Sequence, residues 1–322
     1  VKRFKNILVV AADDQPETKS LIYAAIDLAR RNHAAITVFS VVERIPQRRR
    51  FADRGGKDVD LQELLIRTRL EELKEATPQS EVPVYYEVAT GMPYLEIIER
   101  VELFGHDLVL TVPMPPLRRA GLGGSSTTMH LLRKCPVPVW VHSPYAATAD
   151  AIAVAIGPVG VGEPADSLNI KLLELAGSLA RIRDSELHII HAWRLEGETM
   201  LRSKRLAYSA DEIEQMGHDA RDEARRNIEG LLEQVEVIDD SAQIHLRKGH
   251  AGDVLVDAIE EINPSTVVMG TVARTGVPGL IIGNTAERVM ATVDRAILAV
   301  KPNGFVSPVK AVSEWDPVQM PY

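Results

Sequence analysis

The chain has 322 residues, 45% of them hydrophobic, and a formal net charge of −8. That length suits about two domains with a core in each, and the acidic balance argues for solubility and against a general nucleic-acid binder. A single cysteine, Cys135, excludes an intrachain disulfide framework and fits a reducing cytoplasm; no stretch approaches the run of about 18 apolar residues that a stable membrane insertion needs.

The first half reads as alternating strands and helices. Residues 7–12 are too short an apolar run for a signal sequence and read as a first strand ending at Asp13-Asp14. Leu21, Ile22, Ala25, Leu28 and Ala29 then recur at helical spacing, and residues 36–42 form the second strand. Residues 46–58, rich in Arg and Gly, read as an exposed loop. The triplet Arg48-Arg49-Arg50 with Arg54 would suit an anionic partner, but a solvated loop explains it as well. A helix over 61–76 points Leu61, Leu64, Leu65 and Leu73 inward, and strand 84–88 follows. The helix over 93–104 turns Leu95, Ile98 and Val101 to one side. After strand 108–112, a loop with Pro113, Pro115, Pro116 and Gly121 leads to Gly123-Gly124-Ser125-Ser126, a helix to Lys134 and strand 137–141. Continuous apolar strands separated by helices predict a parallel sheet covered on both faces.

The second half repeats this order. Strands fall at 152–156, 187–192, 244–246, 267–269 and 296–300. Helices carry Ile170 to Ala180, Ile213 to Val235, Val254 to Ile262 and Ala286 to Val293 on their apolar faces. A shift of 159 residues superposes Leu108-Val109-Leu110 on Val267-Val268-Met269, Gly124 on Gly283, Ser125 on Asn284 and strand 137–141 on strand 296–300, without a gap. One duplication of this length means two domains rather than a solenoid. The expected division is 1–145 and 146–308, with a short linker over 143–150, and 309–322 as a tail. Phe305 and Trp315 are candidate anchors for the chain's end. The last strand of each half is the expected contact between the two.

The stretch from Val267 carries the clearest candidate chemistry. A strand ends at Gly270; Gly276, Pro278 and Gly279 follow, then Gly283-Asn284-Thr285 opens a helix. Small residues let backbone N–H groups reach a phosphate, and a helix start adds partial positive charge. Arg274, inside this loop, could pair with the phosphate. An ordinary strand-to-helix loop also needs turn residues, so glycines alone do not separate the two readings.

Two five-stranded α/β repeats, each ending in a glycine loop, helix and strand, resemble the universal stress proteins. GTVARTGVPGLIIGNTAE and the following KPNGFVSP are similar to the tandem, two-domain bacterial E-type members. The resemblance implies an adenine-nucleotide alpha-hydrolase-like fold in a pseudo-dimeric chain, and a phosphate cradle of the form Gly-x2-Gly-x9-Gly-[Ser/Thr], with an Asp after the first strand. Carried over residue by residue, Gly270 and Gly283 match in the second half, but Ala273 stands for the second glycine and Asn284 for the hydroxyl residue, with Thr285 next; Pro158 takes the place of the acid. In the first half Asp13, Gly124 and Ser125 match, while Thr111 and Met114 replace two glycines and Arg118 and Arg119 lie in the loop. The implied ligand is ATP, ADP, AMP or another small phosphorylated molecule, held without catalysis, through a motif degraded in both repeats. Two rival readings remain: a carrier or sensor of an apolar-tailed ligand such as a nucleotide-sugar lipid, suggested by residues 277–282, and a weak ATPase. Single-domain relatives usually dimerise, so the duplication supplies a partner internally and leaves a homodimer of tandem chains open.

Other constellations are weaker. His188 and His191 lie three apart on a strand and point to opposite faces, so they do not share a metal. His191 and Trp193 sit near the strand's end, where α/β ligands bind, although core packing explains both. His245, His250 and Asp253 have loop spacing that zinc could use, but Gly249-x-x-Gly252-Asp253 reads more simply as a turn and helix start. No Ser-His-Asp arrangement, GK[ST] motif or paired catalytic carboxylate can be assigned, and Cys135 reads as buried rather than nucleophilic.

Overall fold

The structure is a computed structural model that describes residues 4–12, 17–46, 50–52, 58–113, 127–143, 150–203, 206, 208–238, 240–271 and 282–309. Its strands are β1 (Asn6–Val10), β2 (Ala35–Val42), β3 (Arg50–Ala52), β4 (Asp58–Asp60), β5 (Val84–Thr90), β6 (Leu108–Thr111), β7 (Val139–Val141), β8 (Ala151–Ala155), β9 (Glu186–Trp193), β10 (Gln243–Lys248), β11 (Thr266–Gly270) and β12 (Ala296–Val300). The described helices are α1 (Glu17–Asn32), α2 (Leu61–Ala76), α3 (Pro93–Phe104), α4 (Thr127–Lys134), α5 (Ala165–Arg183), α6 (Glu198–Leu201), α7 (Ala210–Leu232), α8 (Ala251–Ile262) and α9 (Asn284–Thr292).

Ten strands form one sheet in the order β10-β9-β8-β11-β12-β7-β6-β1-β2-β5. Each half contributes five parallel strands, and the single antiparallel junction is β7 against β12. The register there pairs Val139 with Ala299, Trp140 with Leu298 and Val141 with Ile297. Under the 159-residue shift the pair Val139–Ala299 becomes Leu298–Trp140, which is its neighbour in the register. A local twofold axis therefore passes through the junction, and the tandem chain carries its own dimer interface. The terminal strands expected to join the repeats do so.

Strand side chains alternate between two cores, because successive residues point to opposite faces of a sheet. Ile7 and Val9, Leu108 and Leu110, and Leu298 and Val300 join one core under α1, α5 and α7. Leu8 and Val10, Val109, and Ile297 and Ala299 join the other under α3, α4, α8 and α9. Burial on both faces is why these strands are apolar throughout. Local signals set the helix ends. Ser209 and Glu212 form a reciprocal cap at the start of α7, and α3 begins at Pro93 and stops at left-handed Gly105.

Two expectations are corrected, and one short helix is added. Part of the supposed loop over 46–58 is an antiparallel pair, β3 with β4, in which Arg50 faces Asp60 across the register. Alternation over only three residues on each side is too short to separate a strand from a loop. On α2, Leu73 is buried but Leu65 is exposed, because this helix covers the sheet with one narrow stripe. The short helix α6 had no periodicity to reveal it. Among the described residues no helix is long and apolar enough to cross a membrane.

Candidate functional site

The C-terminal ends of the second-half strands are knitted together by Thr271, a fully buried residue just past β11. Its N–H donates to the Val300 carbonyl at 3.2 Å, and its own carbonyl accepts the Gly283 N–H at 3.2 Å. Thr271 thus fixes where the strand ends and where α9 begins. Gly270, beside it, has a packing reason to be glycine: a Cβ there would lie 3.1 Å from Leu168 Cδ2 on α5. That contact is tight, so a methyl group at 270 would require the Leu168 side chain to give way by a few tenths of an ångström.

Gly283 caps α9 with an extended backbone, φ −62° and ψ 140°, and supplies no side-chain cap. Its carbonyl accepts the Glu287 N–H at 3.0 Å, the first bond of the helix. The N–H groups of Asn284, Thr285 and Ala286 therefore precede the helical ladder and have no partner within it. They point out of the positive end of the helix dipole, with Asn284 exposed and Thr285 half-buried.

A cation that sequence reasoning missed lies beneath this rim. Lys301 directly follows β12 and is 4% exposed. Its ammonium donates to the Thr271 hydroxyl at 2.6 Å and to the Leu132 carbonyl of α4, and lies 5.2 Å from the Phe305 ring. Burial pulls its pKa from 10.5 down to about 8, because removing water disfavours the charged form. Lys171 of α5 donates to the Lys301 carbonyl at 3.0 Å. The signal in the sequence was a lone lysine closing a wholly apolar strand.

Of the residues singled out in the sequence, the structure brings Gly270, Gly283, Asn284 and Thr285 to this one rim. Asp13, Gly124, Ser125 and Arg274 lie outside the described residues, as do Ala273, Met114, Arg118, Arg119, Arg48, Arg49, Arg54 and Trp315. Pro158, which replaces the acid, is exposed, and Asn169 holds the turn by accepting from Gly157 N–H at 2.9 Å and donating to the Pro158 carbonyl at 3.0 Å. In segment 277–282 only Ile282 is described, and it is buried in the core.

His191 is buried on β9, and burial holds its pKa below the ordinary range, with the backbone of Ile156 and Gly157 acting in the opposite direction. His188 faces β10 instead, where its Nδ1 lies 2.9 Å from His245 Nε2 in a stacked pair. His245 therefore pairs across strands and not with His250, which caps α8. Among the described residues no group of three or more His, Cys, Asp or Glu side chains could hold a metal ion. Cys135 is fully buried and its thiol is pushed up to about 12, which leaves it protonated and inert.

Comparison with known proteins adds independent weight. The model of the Universal stress protein family matches residues 3–142 and again 159–301. Universal stress protein E of Salmonella typhi is 28% identical over 327 residues, spanning 97% of this chain and 99% of the relative. The protein of that name from Escherichia coli K12 is 27% identical over the same extent. Among solved structures, a putative universal stress protein from Pseudomonas aeruginosa superposes with a TM-score of 0.67 at 23% identity, over 94% of this chain and 95% of the other. One from Archaeoglobus fulgidus gives 0.58 at 19%, over 94% and 99%; at these identities the likeness concerns the fold.

Proposed function

Because the chain belongs to the universal stress protein family, we propose that it is a non-enzymatic stress-response protein that holds a nucleotide or another phosphorylated metabolite at the start of α9. The observation that carries this reading is the uncapped start of α9, with three N–H groups outside the helical ladder, tied through Gly283 and Thr271 to the buried Lys301 ammonium. A helix start favours an anion by roughly 0.3–1 kcal/mol at an exposed position and by more where water is partly excluded. Lys301 adds a fixed positive charge in a low-dielectric setting, where Coulomb energies are larger than in water. Gly283 contributes its carbonyl to the helix and its N–H to Thr271, so its share in binding is to leave the rim free of a side chain.

The test is Asn284→Pro. Proline at the first helical position is tolerated, and the extended backbone of Gly283 suits a residue before proline. The substitution removes one N–H from the rim and leaves the helix in place. Isothermal titration with ATP, ADP and AMP is expected to show binding to the wild type and about tenfold weaker binding to the variant, as loss of one charge-assisted hydrogen bond implies. No heat and no rise in melting temperature with any of the three would remove adenine nucleotides from the reading.

A further inference from the structure

A second cleft opens on the other side of the repeat junction, about 500 Å³ in volume and separate from the α9 rim. It lies between α1 of the first repeat and the C-terminal end of α5 of the second, above the β7–β12 seam. Its floor is apolar, formed by Leu110, Trp140 and Ala296, all buried in the core. Arg31 Nη1 of α1 donates to the Ile182 carbonyl at 2.8 Å and ties the two walls together. Clefts of this size, apolar with a few converging polar groups, are what small-molecule sites usually look like.

Two polar groups on its lining, from Arg183 and Thr266, have no hydrogen-bond partner among the described residues. The Arg183 guanidinium lies 5.1 Å over the Trp140 ring and makes no hydrogen bond or ion pair among the described residues. Asp27, the carboxylate Arg183 feels, is already bound by Arg30 at 2.7 Å and Arg31 at 2.9 Å. The Thr266 hydroxyl, on a residue 1% exposed, has no partner either. His142 Nε2 lies 3.3 Å from the Ser20 hydroxyl, and burial, with the nearby Arg183 charge, lowers its pKa below the ordinary imidazole value. An unpaired, partly desolvated guanidinium is costly alone, and an acceptor on a ligand would relieve it. Guanidinium presents a planar fork that matches a carboxylate or phosphate. The overall charge of −8 does not oppose this, since salt screens distant charges beyond about 8–10 Å.

We propose that this cleft is a second ligand site, taking a small organic monoanion with an aromatic or apolar body. Its charged end sits on Arg183, and its body lies on the floor of Leu110, Trp140 and Ala296. The ligand would bridge both repeats, so its binding reports on the junction and is independent of the α9 rim.

The probe is 1-naphthoate, with neutral 1-naphthamide as its control. Binding is followed by Trp140 fluorescence in the full chain carrying Trp193→Phe and Trp315→Phe. The expected result is a saturable change with naphthoate, and naphthamide about tenfold weaker or worse. Arg183→Gln is expected to weaken naphthoate by about the same factor, and Ala24→Phe, which fills the cleft from α1, to abolish binding in a protein that still melts cooperatively. Asn284→Pro is expected to leave naphthoate binding unchanged, which separates this site from the nucleotide reading. Equal affinity for acid and amide, or undiminished binding in Ala24→Phe, would overturn the proposal, as would no fluorescence change at all. Equal binding of inorganic phosphate would keep the anion site and remove the requirement for an apolar body.

Discussion

The 159-residue repeat sets His142 and Lys301 at equivalent places, each the first residue past the last strand of its half. The two ends of the seam have nevertheless diverged. At the Lys301 end, the ammonium is buried and held by the Leu132 carbonyl and the Thr271 hydroxyl, with the Phe305 ring beside it. At the His142 end, the space under α1 stays open, and Arg183 and Thr266 face it unsatisfied. Duplication made two copies of one junction. One became a cross-repeat clamp around a buried cation, and the other kept a cleft.

The largest effect expected of this contrast is on pH dependence. The folded pKa of Lys301 is lowered to about 8 from 10.5, so folding disfavours its proton. The unfolded chain then binds more protons between these values, and stability rises with pH across that window. Relative to Lys301→Met, the wild type should gain on the order of 2–3 kcal/mol from pH 7.5 to 10 in urea denaturation. Both proteins should carry Cys135→Ala, because the raised Cys135 pKa acts in the opposite direction above pH 9 and is coupled to the Lys301 charge. A flat difference between the two proteins would mean that Lys301 is not buried as a cation.

A sharper test applies one substitution at the two ends of β11. Thr271→Val removes an acceptor from a buried ammonium and should cost roughly 1–3 kcal/mol. Thr266→Val replaces an unpartnered buried hydroxyl with a methyl and should stabilise the ligand-free protein by roughly 1 kcal/mol. The same chemistry five residues apart is expected to have opposite signs in chemical denaturation. Losses of similar size at both positions would erase the distinction between closed and open ends.

Much of this architecture was legible in the chain. Apolar runs such as those around Leu8, Val109, Val268 and Leu298 are buried on both faces, and such strands can be read without knowing their neighbours. The gap-free shift through Gly283 and the last strands identified the duplication, and the strand-junction contact followed from it. The site was less legible. Gly270 reads as a phosphate glycine in sequence, yet its missing Cβ makes room for Leu168, over a hundred residues earlier in the chain. His245 suggested His250 as its companion by proximity in sequence, while the parallel register of β9 and β10 gave it His188.

Periodicity and repetition by themselves settled the two α/β halves, because a side chain's alternation between faces is a local property of backbone geometry. What only the folded chain decided was the use of the polar residues. Whether Lys301, Thr271, Arg183 or Thr266 has a partner depends on groups from distant segments meeting at an antiparallel seam. Burial and hydrogen bonding there are set by three-dimensional neighbours that no spacing along the chain records.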